Sequence, residues 1–320
     1  MKLGVFDPVF GKVELEPMLE RIGQLGLEAV EIGAGNYPGD AHCKPAELLA
    51  DADARRRFAD AFANRNLAIS ALSCHGNPIH PDAERAAHDD GVFRDTVRLA
   101  GELGVGVVNL FSGCPGDGPN ASQPNWVTCA WPPEFSEIVA WQWEEVVLPY
   151  WRSAGAFAAE HGVRLGFEMH PGFVVYNPKT LLRLRAEVGE VIGANLDPSH
   201  LFWQGIDPIA AIRDLGDAIY HVHAKDTALD PYNVARNGVL DLEPYDDVAK
   251  RSWVFRSVGD GHDALFWKRF VSGLRVAGYD HVLSIEHEDS LASTDEGLTR
   301  AIGTLKQAIL SEPPTAMWWA

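Results

Sequence analysis

Basic residues, cysteines and long apolar runs are all scarce in this chain of 320 residues. With 27 Lys and Arg against 45 Asp and Glu, the formal net charge is −18. That charge repels a phosphate backbone, so nucleic acid is not expected as a partner. No apolar stretch approaches the roughly 18 residues that a membrane-spanning helix needs, so no membrane contact is expected either.

The few cysteines also exclude some classes of site. Cys43, Cys74, Cys114 and Cys129 show no CxxC spacing, which argues against a zinc ribbon or a redox pair. Four cysteines in a chain of this length fit free thiols in a reducing compartment. The N-terminal segment MKLGVFDPVF lacks the long apolar region of a secretory signal. These observations predict a cytoplasmic protein.

Short apolar runs alternate with longer amphipathic stretches along the whole chain. The predicted strands are Leu3–Phe6, Ala29–Ile32, Ala68–Ser73, Val107–Phe111, Arg164–His170, Ile192–Asp197, Ile219–Ala224 and Val282–Glu288. The predicted helices span residues 15–25, 45–64, 83–103, 135–161, 178–188, 208–215, 263–277 and 295–310. Eight β–α pairs in series predict an α/β fold, a (β/α)8 TIM barrel with residues 1–320 as a single domain. A doubly wound open sheet is the alternative, but no glycine-rich phosphate fingerprint follows the first strand.

Four ionisable residues lie at the ends of four successive apolar runs in the second half of the chain. They are Glu168 in RLGFEMHPG, Asp197 in IGANLDPSH, His223 in IYHVHAKD and Glu286 in HVLSIEHED. An ionisable group near a core must be paired or bound to a metal, and four in a row indicate one convergent site. For each residue alone, a structural salt bridge is the alternative. Together they form an oxygen-rich ligand set that favours Mn²⁺, with Mg²⁺, Co²⁺ or Zn²⁺ as alternatives.

The order of these residues resembles that of the xylose-isomerase-like TIM-barrel superfamily. The resemblance consists of Glu168 on strand five, Asp-x-x-His on strand six (Asp197 to His200), His-x-Lys-Asp on strand seven (His223 to Asp226) and Glu286 on strand eight. The segment from Arg256 to Gly261 also resembles the R-x-x-G-x-G pattern of that group. Sugar isomerases and epimerases, inosose dehydratases and type IV endonucleases belong to it.

The resemblance implies a divalent-metal-dependent isomerase or epimerase that acts on a ketose, polyol or keto-sugar through a metal-stabilised enediolate. In the ketose 3-epimerase branch the two metal-bound glutamates also act as acid and base, which assigns that role to Glu168 and Glu286. His200 would hold a substrate oxygen. Arg256 is a substrate-binding candidate because it precedes a glycine pair, as in the family pattern.

Further polar residues fall where strand ends should meet this site. His75 and Asn77 follow the third strand, His170 and Lys225 lie at the ends of the fifth and seventh, and Glu31 ends the second. The histidines are candidate acids, bases or hydrogen-bond partners of a sugar, with a structural hydrogen-bonded role as the alternative. Lys225 and Asn77 are candidate substrate contacts.

Two long segments interrupt the β–α alternation. Residues 113–134 are rich in Gly, Pro and Asn, and they follow the fourth strand, which predicts a lid on the catalytic face. Trp126 in this segment is expected to stack on the substrate, with a purely structural surface loop as the alternative. In the second segment, residues 227–262, Gly259 and Gly261 would let bare backbone approach a ligand.

The same metal site is compatible with elimination. A lyase reading, either inosose dehydratase or the catalytic subunit of a C-glycoside deglycosylase acting on a 3-oxo-glycoside, is therefore the main alternative. If the chain is a deglycosylase of this kind, a small accessory subunit is expected as its partner. Type IV endonucleases need an Asp-x-His pair before the Gly-x-Gly segment. This chain has Trp253-Val254-Phe255 there, with no metal ligand, so an endonuclease is only a remote alternative. A non-catalytic sugar-binding barrel would leave all four ionisable residues unexplained.

The C-terminal sequence PPTAMWWA predicts a homo-oligomer. Met317, Trp318 and Trp319 cannot join the barrel interior, and leaving them exposed creates an apolar patch. Packing of this tail on the last helices of its own subunit is the alternative.

Overall fold

The eight predicted strands pair in parallel and close into a barrel in a computed structural model that describes Met1–Trp319. The barrel strands are β1 (Lys2–Phe6), β2 (Ala29–Gly33), β3 (Ala68–Ser73), β4 (Val107–Leu110), β5 (Arg164–Glu168), β6 (Ile192–Leu196), β7 (Ile219–Ala224) and β10 (Val282–Ile285). Two further strands, β8 (Asp226–Leu229) and β9 (Trp253–Arg256), form a separate sheet. Strands β1 to β7 follow one another around the barrel, and β10 closes it between β7 and β1. The predicted single-domain TIM barrel is confirmed.

Helices connect the strands close to the predicted positions. They are α1 (Leu15–Gln24), α2 (Pro45–Ala50), α3 (Ala52–Ala63), α4 (Ala83–Leu103), α5 (Pro133–Trp141), α6 (Leu148–Glu160), α7 (Pro178–Val188), α8 (Pro198–Phe202), α9 (Pro208–Leu215), α10 (Pro231–Asn237), α11 (Ala264–Val276) and α12 (Thr294–Lys306). The predicted helix at 45–64 is divided because Asp51 is extended and caps α3 with its side chain. A π-helical turn, Gln142–Val147, interrupts the predicted helix at 135–161.

Within Met1–Trp319, none of the helices has both the length and the apolar character needed to cross a membrane.

The barrel strands are buried on both faces, as in other parallel sheets covered by helices. Every residue of β7 is buried. Alternation along this strand divides its side chains: Val222 and Ala224 join the apolar core, whereas His221 and His223 bond to polar groups of other strands. The barrel interior therefore carries a polar network between apolar layers.

The antiparallel pair β8–β9 is an addition that the sequence did not predict. Asp226 pairs with Arg256 at one end of this ribbon. The glycines that follow β9 pack against it: the N–H groups of Gly259 and Gly261 donate to Oδ2 of Asp226 at 3.0 and 3.2 Å. A Cβ at Gly261 would lie 2.5 Å from the carbonyl oxygen of Thr227. The bare backbone here permits close chain packing, and the approach of these glycines to a ligand stays a prediction.

Candidate metal centre

The four candidate metal ligands meet at the carboxyl ends of neighbouring barrel strands. Glu168 ends β5, Asp197 follows β6 and caps α8, His223 lies on β7, and Glu286 directly follows β10. Each contributes one nitrogen or oxygen atom, and these atoms all lie within 4.8 Å of one another. Parallel strands of a closed barrel place their carboxyl ends at one face, which is why residues far apart in sequence converge here.

Two atoms of this cluster are buried without a hydrogen bond. Nδ1 of His223 and Oδ2 of Asp197 have no partner in hydrogen-bonding geometry among residues 1–319. Nδ1 of His223 lies 2.9 Å from Oε2 of Glu286 and 3.3 Å from Oε2 of Glu168. A buried polar atom without a hydrogen bond is costly, and a cation would provide a partner for both atoms. The cluster therefore fits a divalent cation held by one imidazole and three carboxylates.

Lys225 is the cationic side chain beside this cluster. Its Nζ lies 2.9 Å from Oε2 of Glu286, 3.0 Å from Glu288 and 3.2 Å from Oδ2 of Asp197. Burial raises the pKa of Glu286, but the charge of Lys225 and the contact with His223 lower it to about 2. Glu286 is therefore ionised and able to bind a cation or accept a proton.

Histidines surround the carboxylate of Glu168. Nε2 of His200 lies 3.0 Å from Oε1, and Nε2 of His75 lies 3.0 Å from Oε2. Burial raises the pKa of Glu168, but contacts from the histidines outweigh it and hold the pKa well below its ordinary value. The ring of His170 is 4.0 Å from that of His200. Burial, and then the neighbouring His200, lower the pKa of His170 to about 3, so His170 is neutral near pH 7.

A cavity of about 390 Å³ opens over the cluster. Its polar lining consists of Glu168, Glu286, Lys225, His75, His170, His200, His287 and Glu288. Its aromatic lining consists of Phe6, Tyr37 and Phe111, which the sequence did not single out. Phe6 and Phe111 end predicted strands, a position that places side chains at the catalytic face, whereas Tyr37 lies in a loop after β2. An aromatic surface beside polar groups suits a sugar, which has both C–H faces and hydroxyls.

Three candidate substrate contacts lie outside this cavity lining. Asn77 uses its side-chain amide to bind the backbone of Cys114, at 3.0 Å for both hydrogen bonds. The Nε of Arg256 lies 3.2 Å from Oδ2 of Asp289. Trp126 lines a separate cavity of about 220 Å³, where its ring packs edge-on against Tyr176. Each of these side chains has a structural partner in this conformation.

Glu31 contacts the metal cluster in a way that its sequence position did not predict. It lies in the middle of β2 and its side chain is fully buried. Both carboxylate oxygens are 2.9 Å from Nε2 of His223. The only sequence signal was an ionisable residue within an otherwise apolar strand, AVEIG.

The chain belongs to the xylose isomerase-like TIM barrel family, whose sequence pattern matches residues 19–308. It is 40% identical over 312 residues to the uncharacterized protein YfiH of Bacillus subtilis, a match that covers 97% of this chain and 99% of YfiH. The rhizopine catabolism protein MocC of Rhizobium meliloti is 34% identical over 130 residues, which are 41% of this chain and 38% of MocC. An inosose dehydratase of Geobacillus thermodenitrificans is 26% identical over 150 residues, 46% of this chain and 48% of the dehydratase.

Solved structures share the fold at low sequence identity. The IOLI protein with a bound zinc atom superposes with a TM-score of 0.64 at 18% identity, over 97% of this chain and 99% of that chain. The 3-keto-D-glucoside 4-epimerase YcjR of E. coli superposes with a TM-score of 0.65 at 14% identity, over 96% and 99%. These similarities show that the chain shares its barrel fold with both structures.

Proposed function

We propose that this chain is a divalent-metal-dependent isomerase or epimerase of a ketose, polyol or keto-sugar. The observation that carries the proposal is the pair Glu168 and Glu286, whose carboxylates flank Nδ1 of His223 and line one cavity. Glu168, Asp197, His223 and Glu286 would hold the cation, with Mn²⁺ preferred and Mg²⁺, Co²⁺ or Zn²⁺ as alternatives. The cation would polarise a substrate carbonyl and a neighbouring hydroxyl, and so acidify the C–H bond of the carbon that bears this hydroxyl.

The two glutamates would carry the proton transfers. One carboxylate removes the proton from the carbon next to the carbonyl, and the C–H electrons form the C=C bond of an enediolate. The other glutamate, protonated from solvent, gives its proton to a carbon of the enediolate, and the first glutamate releases the abstracted proton to solvent. Return on the opposite face inverts the carbon, and return at the neighbouring carbon moves the carbonyl.

The remaining cavity residues would orient the sugar. His200 already donates toward Glu168 and lies at the cavity wall, where it would hold a substrate oxygen. His75 and His170 are placed to bind further hydroxyls. Lys225 would stabilise negative charge that develops on oxygen near Glu286. Phe6, Tyr37 and Phe111 would cover the C–H face of the ring.

A dehydratase is the second candidate, and the similarity to an inosose dehydratase favours it. The same proton removal, followed by departure of a β-hydroxyl with a proton from one of the cavity histidines, releases water and leaves an unsaturated ketone. The charge of Lys225 is already shared among carboxylates, which favours neutral substrates over phosphorylated ones in either reaction.

One assay separates these reactions. Mn²⁺-loaded protein is incubated in D₂O with ketoses, inososes and 3-oxo-glycosides, and the products are followed by NMR. Deuterium at an inverted or newly reduced carbon, with no lost group, supports isomerisation or epimerisation. Release of water or an aglycone supports the lyase alternative. No turnover of any of these classes by the metal-loaded protein, with Glu286→Gln as the blank, would contradict both.

A further inference from the structure

Glu31 is bound on every side by hydrogen-bond donors of the barrel interior. Oε1 accepts from Oγ of Ser73 at 2.6 Å and from Nδ2 of Asn109 at 2.9 Å. Oε2 accepts from Oγ of Ser284 at 2.7 Å. Nε2 of His223 is 2.9 Å from both oxygens. Donors from four separate strands thus fix this carboxylate in one position, and its side chain is fully buried.

This contact decides which nitrogen of His223 faces the metal cluster. A carboxylate can only accept, so Nε2 of His223 must carry the hydrogen that it donates to Glu31. Nδ2 of Asn195 also lies 3.1 Å from Nε2, but that amide has another acceptor in Oε2 of Glu168 at 3.5 Å. Nδ1 of His223 therefore faces the carboxylates of Glu168 and Glu286, and it has no hydrogen bond among residues 1–319.

The plane of the imidazole is fixed as well. The ring of Phe6 stacks on that of His223, with centroids 5.4 Å apart and an interplanar angle of 28°. Tilting the ring out of its plane would break the aromatic contact, and a half-turn within the plane would break the hydrogen bond to Glu31. These contacts preorganise the side chain of His223 for a cation.

We propose that Glu31 is a positioning residue of the metal site, which holds His223 so that Nδ1 binds a divalent cation. The proposal rests on the metal site proposed above. Carboxylates that accept from the second nitrogen of a metal-bound histidine fix its ring orientation and strengthen it as a ligand. Glu31 itself touches neither the cavity nor the candidate ligand atoms of Asp197 and Glu286.

Glu31, His221 and His223 also lie close enough together to suggest a metal site of their own. Their hydrogen bonds argue against it. The oxygens of Glu31 already accept from Ser73, Asn109, Ser284 and His223. His221 is fully buried and lies 3.1 Å from Oδ1 of Asn195 and 3.2 Å from Oγ of Ser70. This group therefore supports the outer cluster.

The test is Mn²⁺ affinity, measured by titration calorimetry on wild-type protein and Glu31→Gln. Glutamine keeps the size of the side chain but removes the charge, so we expect Mn²⁺ binding to weaken by about 10–100-fold. Asp7→Asn is the matched control, because Asp7 is a buried carboxylate paired with His42 at 2.6 Å, outside the cluster. Its Mn²⁺ affinity should stay near that of the wild type even if its thermal stability falls.

Three results would overturn parts of the account, and they are distinguishable. Absence of Mn²⁺ binding by the wild type would overturn the metal site itself and this proposal with it. Wild-type binding matched by folded Glu31→Gln would overturn only the positioning role. If Glu31→Gln does not fold, ¹⁵N NMR of Zn²⁺-loaded wild type decides: Nε2 of His223 should carry a hydrogen and Nδ1 should be the bound nitrogen. The reverse assignment would overturn the proposal.

Discussion

Nζ of Lys225 lies 2.9 Å from Oε2 of Glu286, one of the two carboxylates proposed to transfer protons. The same ammonium group contacts Asp197 and Glu288. Burial lowers the pKa of Lys225, but these carboxylates outweigh burial and raise it well above its ordinary value. Lys225 therefore carries a positive charge beside the cluster when no cation is bound.

Lys225→Met should destabilise the metal-free protein severely. Removing one partner of a buried ionic group leaves uncompensated charge, which costs about 3–5 kcal/mol of unfolding free energy. Mn²⁺ should restore part of the loss, because the cation pairs with the same carboxylates. Urea unfolding with and without Mn²⁺ measures both effects. Lys250→Met is the control: its pair with Asp247 is at the surface, so its loss should cost at most about 1 kcal/mol. Equal losses in the two variants would contradict this description of Lys225.

Glu168→Gln and Glu286→Gln should each lower kcat by at least ~100-fold, since general acid–base transfer contributes roughly 10²–10⁴. The fold should survive, because glutamine keeps the size of each side chain and neither glutamate belongs to the apolar core. Steady-state kinetics of metal-loaded variants, with circular dichroism as the folding check, measure this. Glu288→Gln, at the exposed rim of the same cavity, should have a much smaller effect. Unchanged kcat in either main variant would reduce that glutamate to a ligand and exclude the two-base mechanism.

Residues 113–134 remain a predicted lid. In this conformation Trp126 packs on Tyr176, and Trp131 is 72% exposed, so neither lines the cavity. A lid role therefore requires the segment to move when substrate binds. Trp126→Ala and Trp131→Ala should then raise KM or lower kcat while the metal content is unchanged. Kinetics identical to the wild type in both variants would leave the segment a structural loop.

The C-terminal tail should contribute to an oligomer interface. Met317, Trp318 and Trp319 are 66%, 88% and 69% exposed, an unusual arrangement for large apolar side chains. The tail leaves the barrel beside α11, where the guanidinium of Arg275 binds the carbonyl oxygens of Leu310 and Glu312. Light scattering should give a larger mass for the full chain than for a chain ending at Glu312. A monomer in both cases would contradict this prediction, and a fall in melting temperature without a change in mass would place the tail on its own subunit.

Local sequence patterns were sufficient to predict the barrel. Apolar runs such as AVEIG and IYHVHA are short, buried and separated by amphipathic segments, and that alternation depends on neighbours in sequence alone. The convergence of Glu168, Asp197, His223 and Glu286 followed from the barrel, since its strand ends meet at one face. The ribbon β8–β9 was not predictable in the same way, because α10 and the loop after it separate its two strands in the sequence.

Side-chain direction was the part of the site that sequence could not provide. Arg256 precedes a glycine pair, as the family pattern suggests, yet its guanidinium turns to Asp289. Asn77 follows a strand end, but its side-chain amide is hydrogen-bonded to the backbone of Cys114. Tyr37 enters the cavity from a loop with no motif. These outcomes depend on packing between segments that are distant in sequence.

Metal content is the most direct measurement of the proposed centre. Protein loaded with Mn²⁺ and freed of excess metal should retain a single ion per chain by elemental analysis. Asp197→Asn should lose it, because the substitution removes the charge of a proposed ligand whose Oδ2 is buried without a hydrogen bond among residues 1–319. EDTA should abolish turnover, and Mn²⁺ should restore it. Wild-type protein that retains no divalent metal, with turnover that survives EDTA, would contradict the metal centre at Glu168, Asp197, His223 and Glu286.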